Sequence, residues 1–334
     1  MRELASIVFT VYNQEGYVRE SLMSALGQSY EPLEIVVSDD GSVDGTRMII
    51  DQVVAEAGFV RITDADMDSC VRTFRKGGKT LIVNFNAKNR GICGNFEYAF
   101  GLTHGELVFT FGGDDISMPD RVERLMAAWI ADGKRAKVLA SGGWLMDVAG
   151  RDYQEYRREV LNGAPVGAFN AYARCVYDDF PRIDQQLAAQ TYEDSVYGLR
   201  AQFFAPPLYV DELLVRYRFG SGVSTGGGYR RKMIRGARAV KASCEQLLKD
   251  LEALKGLLSE VSLSELRNRF SMRIAHEEKF LRLLDGRTLW ERWSGYVAHR
   301  QGGMTLKDLV IGMILVLPRC LGDWLLSVLQ RGKG

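Results

Sequence analysis

The sequence has few residues of the kinds that build disulfide, zinc or histidine-metal sites. Its five cysteines are odd in number, widely spaced and without a C-x-x-C pair, so neither a disulfide framework nor a zinc site is expected. The three histidines are isolated, which argues against a histidine-held metal and against a Ser-His-Asp triad. The cysteine pattern fits a reducing cytoplasm.

Three ligand-binding motifs are also missing. No G-x-x-x-x-G-K-[ST] occurs, and the glycines of residues 220–228 do not follow a strand and open a helix, as a dinucleotide-binding loop requires. Residues 64–69, DADMDS, begin like a calcium loop, but Ser69 and Arg75 stand where that loop needs glycine and glutamate. The sequence therefore excludes P-loop, dinucleotide and EF-hand sites.

A clean membrane-spanning run is lacking as well. No charged start leads into a long apolar run, so we expect no signal peptide. The apolar stretch 309–329 is interrupted by Pro318, Arg319 and Asp323, and a charge near the middle of a span costs about 2.5–3.5 kcal/mol on insertion scales. We expect two short helices in the membrane interface; the alternative is packing on the protein's own core or in an oligomer.

Charge is unevenly divided along the chain. Residues 230–334 carry 20 Lys+Arg against 11 Asp+Glu, a net charge of +9. The totals of 43 basic and 42 acidic residues then leave a net charge of −8 for the remainder. A basic tail indicates an anionic partner, either nucleic acid or membrane. Tryptophans and a tyrosine beside the apolar end favour membrane: Trp290, Trp293, Tyr296 and Trp324.

The sequence contains enough hydrophobic residues for the core of a globular α/β protein. The chain has 334 residues, of which 46% are hydrophobic and 25% charged. Apolar strand patterns at 4–13, 34–40, 80–85 and 106–111 alternate with helix patterns, which predicts a mainly parallel sheet flanked by helices. The polar segment 59–79 predicts an insertion or irregular loop. We place an α/β domain at 1–228 and a helical C-terminal extension at 229–334.

The extension contains a heptad-like seam of apolar residues. The members repeat at spacings of 4, 3, 4 and 3: Leu247, Leu251, Leu254, Leu258 and Val261. Such a seam favours helix packing within the protein over a coil that binds a partner.

Polar side chains gather where the predicted strands end. The set comprises Thr10, Tyr12, Asn13, Asp39, Asp40, Ser42, Asp114 and Asp115. Ligands of parallel sheets bind beyond these carboxyl ends. Adjacent carboxylates repel each other, but a hard divalent cation can join them to phosphate oxygens. The alternative is that Asp114 or Asp115 caps a helix starting near Pro119, which Ser117 could do equally well.

Three blocks of the sequence together resemble glycosyltransferase family 2, the inverting enzymes of the GT-A fold. They are TVYNQEGYVRESLMSALGQSYEPLEIVVSDDGSVDGT, NRGICGNFEYAFGLTHGELVFTFGGDDISMPDRV and YEDSVYGLRA. The resemblance covers about residues 4–220 and implies that Thr10, Tyr12 and Asp39 hold the nucleotide base. The nucleotide-sugar-binding set we expect is Thr10, Tyr12, Asn13, Glu15, Asp39, Asp40, Ser42, Asn89, Arg90, Asp114, Glu193 and Arg200.

The resemblance also implies catalytic roles, with two departures from the family pattern. Asp114 aligns with the aspartate that binds Mn²⁺ or Mg²⁺, but Gly112 stands at an aspartate position and Gly220 near a histidine position. Metal affinity is therefore expected to be low, or metal dependence partial. Asp194 is the expected base, with Glu193 beside it and Arg200 orienting this pair or the pyrophosphate. The alternative is a plain acidic pair at a helix N-terminus.

The expected function is inverting transfer from a nucleotide-diphosphate sugar to a glycan or lipid-linked acceptor, in cell-surface polysaccharide synthesis. We expect a cytoplasmic protein, peripheral on the inner face of the membrane, without a nucleic-acid partner and compatible with a homo-oligomer. The alternatives are a GT-A-like nucleotidyltransferase, which lacks support because no glycine-rich basic loop follows the first strand, and a non-catalytic binding or scaffold protein.

Overall fold

The structure, a computed structural model, describes residues 2–62, 71–157, 167–220 and 229–285. The chain divides into two compact units, residues 1–222 and 223–334. The boundary expected at residue 228 falls in the stretch 221–228, which lies outside the described residues.

The first unit alternates strands and helices in its N-terminal half. The strands are β1 (Ala5–Val11), β2 (Leu33–Asp39), β3 (Val60–Arg61), β4 (Val71–Lys76), β5 (Lys79–Phe85), β6 (Leu107–Gly112), β7 (Ile116–Ser117), β8 (Val138–Met146), β9 (Asp152–Tyr156), β10 (Asn170–Ala173) and β11 (Leu208–Arg218). The helices are α1 (Val18–Leu26), α2 (Thr46–Glu56), α3 (Ile92–Gly101), α4 (Arg121–Ala131), α5 (Cys175–Asp178), α6 (Gln185–Ala188) and α7 (Glu193–Gln202). A short 3₁₀ turn occupies Gly167–Phe169.

One sheet runs through this unit in the order β3-β4-β5-β2-β1-β6-β10-β8-β11-β7, with β9 paired to β8. Its centre, β5-β2-β1-β6, is parallel, and β10 runs antiparallel between β6 and β8. The predicted parallel centre of the sheet is confirmed. Because parallel strands end together, the carboxyl ends of β1, β2, β5 and β6 share one edge.

Both faces of the sheet are covered, which explains why its central strands are nearly continuous apolar runs. On one face, Ile7 and Phe9 of β1 lie in a core with residues of α1, α2 and α4. On the other face, Val8 and Val108 lie in a core with residues of α3, α5 and α7. Successive strand residues point to opposite faces, so each strand contributes to both cores.

The segment 59–79 contains an insertion, one of the two alternatives expected for it. Its described part forms β3 and β4, which pair antiparallel and extend the sheet at β5. Residues 63–70 lie outside the described residues.

The leucine seam does not run along one continuous helix, although the burial of three of its leucines agrees with the expected packing within the protein. The second unit contains α8 (Tyr229–Asp250) and α9 (Glu260–Asp285), so a turn separates Leu247 from Val261. Leu247, Leu251 and Leu254 are buried, whereas Val261 is 69% exposed. A seam needs one continuous helix to hold its residues on one face, and the chain bends here.

Within the described ranges, no helix has the length and apolarity needed to cross a membrane. The apolar stretch 309–329 lies outside those ranges, so its expected place in the membrane interface stays a prediction.

Candidate active site

The sheet brings three polar strand ends together. Val11 of β1 pairs with Asp39 of β2, and Thr10 pairs with Gly112 of β6. The backbone amide of Gly113 also donates to the carbonyl of Thr10 at 3.0 Å. The first and second acidic pairs of the sequence therefore flank the end of β1 on its two sides.

Asp39 is fully buried at the end of β2, and only one of its carboxylate oxygens is bound. Its Oδ2 accepts from the guanidinium Nε of Arg47 at 2.6 Å and from the amide of Ser42 at 3.1 Å. Its Oδ1 has no hydrogen-bond partner within the described ranges. A buried, unpaired acceptor is costly, so this oxygen suits a donor group of a ligand. Arg47 was missed from the sequence because only the fold brings α2 against this carboxylate.

Tyr12 and Thr10 lie at the end of β1 beside Asp39. The Tyr12 side chain is 37% exposed, and Thr10 is half-buried. An aromatic face of this kind is able to stack on a nucleotide base. This placement is compatible with the base contacts implied by the resemblance, which remain a prediction.

Three other predicted site residues connect the loops after β1 and β2. The amide of Asn13 donates to Ser42 Oγ at 2.8 Å, and the Asn13 side-chain oxygen accepts from the amide of Val43 at 2.9 Å. Glu15 accepts from the amide of Gly45 at 2.7 Å. These bonds shape the loops that carry Tyr12 and Asp39, and direct contact with a ligand stays a prediction.

Asp40 fastens a distant loop to the end of β2. Its Oδ1 accepts from the amide of Arg90 at 2.7 Å and from the side-chain amide of Asn86 at 3.1 Å. Burial raises the pKa of Asp40 above its usual value, although these hydrogen bonds oppose the shift. Asn89 accepts from the amide of Gly91 at 2.9 Å, and the exposed Arg90 guanidinium lies over the ring of Tyr98. Asp40 and Asn89 therefore shape the loop, while the Arg90 side chain stays accessible.

A buried polar network behind this loop was missed from the sequence. Ser38 Oγ donates to Asn95 at 2.6 Å, and Asn84 donates to Ser38 Oγ and to Asn86 at 3.0 and 2.9 Å. A usable signal was Asn84, a polar residue inside the apolar run TLIVNF. Such fully bonded networks fix one loop conformation.

At the end of β6, the second aspartate is the buried member of the pair. Asp115 Oδ1 accepts from the amide of Arg218 at 2.9 Å. Burial, and then the charge of Asp114, raise the pKa of Asp115 well above its usual value, while the guanidiniums of Arg121 and Arg218 oppose this rise. The positive charge that the adjacent carboxylates require is thus supplied in part by two arginines from elsewhere in the fold. The N-cap position of α4 is Asp120, so neither of the two aspartates stands there, and Ser117 Oγ accepts from Arg121.

Packing explains why residue 112 is glycine here, at a position where the family usually has aspartate. A Cβ at residue 112 would lie 2.9 Å from Asp115 Oδ2 and 3.2 Å from Asp114 Oδ1. A side chain there would therefore displace the carboxylates that follow it.

The donor set at this strand end fits a weakly held Mn²⁺ or Mg²⁺. Asp114 is a half-buried carboxylate at the strand end, and Mg²⁺ commonly takes one or two carboxylates together with substrate phosphates and water. Across the described ranges, no group of three or more His, Cys, Asp or Glu side chains could hold an ion. The metal would depend on phosphate oxygens for the rest of its ligands.

The Glu193–Asp194 pair opens α7, as predicted. Asp194 Oδ2 accepts from the amide of Gly167 at 3.1 Å, and Oδ1 accepts from Ser195 Oγ at 3.2 Å. Burial raises the pKa of Asp194, and burial followed by the charge of Asp194 raises the pKa of Glu193 to about 8. A carboxylate with a raised pKa is a better proton acceptor, so Asp194 is suited to general-base chemistry.

A chain of hydrogen bonds joins the end of β6 to Asp194. The hydroxyl of Thr110, two residues before Gly112, lies within hydrogen-bond distance of the carbonyls of Gly167 and Asn170 and shares its one proton between them. The fully buried Arg121 donates to the carbonyl of Thr110 at 3.1 Å and to that of Ala168 at 2.9 Å. The amide of Gly167 also donates to Asp194. Hydrogen bonds therefore connect the acidic end of β6 to the acidic start of α7.

Arg200 is fully buried on α7, and its guanidinium donates to the carbonyls of Val176 and Pro181 at 3.3 and 2.8 Å. These bonds hold α5 and the segment after it against α7. The expected role of Arg200 toward the acidic pair or the pyrophosphate stays a prediction.

Residues 6–149 match the family model described as Glycosyl transferase family 2. An uncharacterized glycosyltransferase of Rickettsia felis is 32% identical over 149 residues, which cover 44% of this chain and 21% of the relative. The putative glycosyltransferase EpsE of Bacillus subtilis is 26% identical over 145 residues, 43% of this chain and 45% of the relative. The aligned part spans less than half the length of these relatives.

Two solved structures share the fold. S. aureus TarS has a TM-score of 0.55 at 17% identity and covers 95% of this chain and 50% of its own. S. aureus TarS 1-349 in complex with UDP-GlcNAc has a TM-score of 0.51 at 17% identity and covers 89% of both chains. At this identity the likeness concerns the fold alone, and the expected GT-A fold is confirmed.

Proposed function

Because residues 6–149 belong to glycosyltransferase family 2, we propose that the protein transfers a sugar, with inversion, from a nucleotide-diphosphate donor to a glycan or lipid-linked acceptor. The observation that carries this proposal is the hydrogen-bonded connection between the end of β6, which bears Asp114, and Asp194. This connection holds the proposed binding site of the leaving diphosphate and the proposed base in the same part of the fold. Cell-surface polysaccharide synthesis is the process we propose for this activity.

In this proposal the donor binds across the ends of β1, β2 and β6. Tyr12 stacks on the base, and the unpaired Oδ1 of Asp39 accepts a hydrogen bond from it. The UDP-GlcNAc complex of TarS makes a uridine nucleotide the first donor to test. Asp114 would hold a divalent metal, which when bound neutralises the charge that develops on the departing diphosphate.

Asp194 is the proposed base. It accepts the proton of an acceptor hydroxyl as the oxygen attacks the anomeric carbon, while the bond from that carbon to the diphosphate oxygen breaks. Attack from the face opposite the leaving group inverts the anomeric configuration. The amide of Gly167 fixes the orientation of the Asp194 carboxylate.

The activity test is a panel of nucleotide sugars given to the full-length protein with and without Mn²⁺. We expect donor consumption with at least one member and a partial, not absolute, stimulation by Mn²⁺, because a single carboxylate serves the metal. Absence of both turnover and nucleotide binding across the panel would contradict the proposal.

We also propose peripheral contact with the inner face of the membrane through the basic, apolar C-terminal end. The support is the net charge of +9 of residues 230–334 and the interrupted apolar run. The full chain should sediment with anionic liposomes, and a variant lacking residues 304–334 should remain in the supernatant. Equal sedimentation of the two proteins would contradict this part of the proposal.

A further inference from the structure

Three aromatic side chains from β9, the 3₁₀ turn and β11 form a cluster. The rings of Tyr156 and Phe169 are stacked with centroids 5.2 Å apart, and the ring of Tyr217 lies 5.8 Å from that of Phe169. Phe169 is fully buried, whereas the two tyrosines are half-buried. We call Tyr156, Phe169 and Tyr217 the aromatic cluster.

Gly143 makes room for this cluster. A Cβ at residue 143 would lie 2.5 Å from a ring carbon of Phe169, so only glycine permits the approach. Gly143 pairs with Tyr156 of β9, and Leu145, two residues on, pairs with Tyr217 of β11. Because residues two apart on a strand share a face, both tyrosines project from the same side of the sheet.

That side is the one on which α7 packs. The neighbouring Arg218 directs its guanidinium to Glu20 of α1 and over the ring of Tyr17. Tyr217 therefore points to the face opposite α1, since successive side chains of a strand alternate. Helix α7 packs on the face opposite α1, and it begins with the Glu193–Asp194 pair.

The 3₁₀ turn connects Phe169, the central ring of the cluster, to this acidic pair. Phe169 and Gly167 belong to the same three-residue turn, and the Gly167 amide donates to Asp194 at 3.1 Å. A Cβ at Gly167 would collide with Glu193 Oε1, so the Glu193 carboxyl packs directly on the turn. Glu193 Oε2 is buried and, within the described ranges, has no hydrogen-bond partner.

The geometry points to an acceptor subsite for a sugar ring, formed by the half-exposed tyrosines of the aromatic cluster with Glu193 as a polar partner; this inference rests on the proposed function. A pyranose combines an apolar C–H face, which packs on aromatic rings, with hydroxyls that need hydrogen-bond partners. The rings of the aromatic cluster can pack on the apolar face of the sugar, and the unpaired Glu193 oxygen can form a hydrogen bond with one of its hydroxyls. A sugar held there places a hydroxyl beside Asp194, the proposed base.

The test measures binding of simple sugars to the full chain saturated with UDP, by saturation-transfer NMR. The probes are the methyl α- and β-glycosides of glucose, galactose and N-acetylglucosamine. We expect at least one to bind, and Tyr156→Ala to weaken its binding about fivefold, since an aromatic contact contributes about 0.5–1.5 kcal/mol. Tyr156→Leu, which keeps apolar volume over Phe169 but removes the ring, should weaken binding similarly if Tyr156→Ala is poorly folded.

Tyr153→Ala is the matched control. Tyr153 is 56% exposed on the same strand, at the register shift between Gln154 and Asp152, and it is not part of the aromatic cluster. Glycoside binding should be unchanged in this variant, and UDP affinity should be unchanged in all of them. If no glycoside binds the wild-type chain, or if folded Tyr156→Leu binds as well as wild type, the sugar subsite is overturned. Continued donor hydrolysis in that case would leave the proposed function intact, whereas loss of nucleotide binding and hydrolysis would overturn both.

Discussion

The ends of β2 and β6 both carry adjacent aspartates, and in both pairs the second aspartate fastens a distant segment. Asp40 accepts from the amide of Arg90, 50 residues away, and Asp115 accepts from the amide of Arg218, 103 residues away. Burial raises the pKa of both second members. An acidic pair at a strand end is therefore not two equivalent ligands but one structural carboxyl and one candidate ligand.

The first aspartates of the two pairs, Asp39 and Asp114, differ in their burial. Asp39 has a guanidinium on its own carboxylate, since Arg47 donates to Oδ2 at 2.6 Å. At β6, the Arg218 Nε donates to the backbone carbonyl of Asp114 at 3.0 Å. Asp39 is fully buried and Asp114 is half-buried. A fully buried carboxylate beside an arginine suits a neutral donor group such as a base, whereas a half-buried strand-end carboxylate suits a metal.

The largest expected effect distinguishes the roles of Asp39 and Asp114. Asp114→Asn should lower kcat by about 100- to 1000-fold, because charge stabilisation at the departing diphosphate is lost. Asp39→Asn should instead weaken nucleotide binding about tenfold, because one acceptor becomes an amide beside Arg47. Steady-state kinetics and calorimetric titration with the nucleotide check this split. Equal losses in kcat and in binding for both variants would remove the distinction.

The second effect concerns the structural carboxyl at β6. Asp115→Leu leaves the buried amide of Arg218 without its acceptor and should destabilise the protein by about 1–3 kcal/mol. Asp115→Asn keeps a side-chain carbonyl oxygen at that place and should cost much less. Urea unfolding of the two variants provides the measurement. Similar stability of both would mean that the hydrogen bond to Arg218 is unimportant.

A comparable effect is expected when the β6 end is given a third carboxylate. Gly112→Asp restores the family residue, but its Cβ would crowd Asp114 and Asp115. We expect a loss of about 1–3 kcal/mol in unfolding free energy, typical of overpacking, and no gain in Mn²⁺ affinity. Thermal unfolding and Mn²⁺ titration in the presence of UDP measure both. If the variant binds Mn²⁺ more tightly and is equally stable, then glycine at position 112 only removes a metal ligand and has no packing role.

A pH-dependent effect concerns a third acidic pair, Glu193–Asp194, where the first member is the one expected to be protonated. The folded pKa of Glu193 is about 8 against an ordinary value of 4.5, so the folded state binds the extra proton between these values. Its contribution to stability is full below about pH 4.5 and is lost as the pH rises through about 8. Glu193→Gln should flatten this decline, which thermal unfolding from pH 5 to 9 measures. An unchanged pH profile would indicate that Glu193 is already ionised at neutral pH.

The sequence was sufficient for the parallel centre of the sheet, because apolar runs such as residues 34–40 alternate with helical patterns. It also predicted that the ends of β1, β2 and β6 meet, since parallel strands end at one edge. It could not reveal that Arg47, Arg121 and Arg218 supply the counter-charges, because these contacts depend on tertiary packing. The leucine spacing misled for a similar reason: the turn between α8 and α9 interrupts a seam that looks continuous in sequence.

The central claim is that Asp194 acts as the base in an assembly that also binds the donor. The most direct measurement compares wild type with Asp194→Asn in the full chain, for nucleotide-sugar binding and for transfer. The account predicts equal donor affinity and a loss of transfer of about 100- to 10,000-fold, the usual contribution of a positioned base. Transfer at the wild-type rate by the folded variant would contradict it.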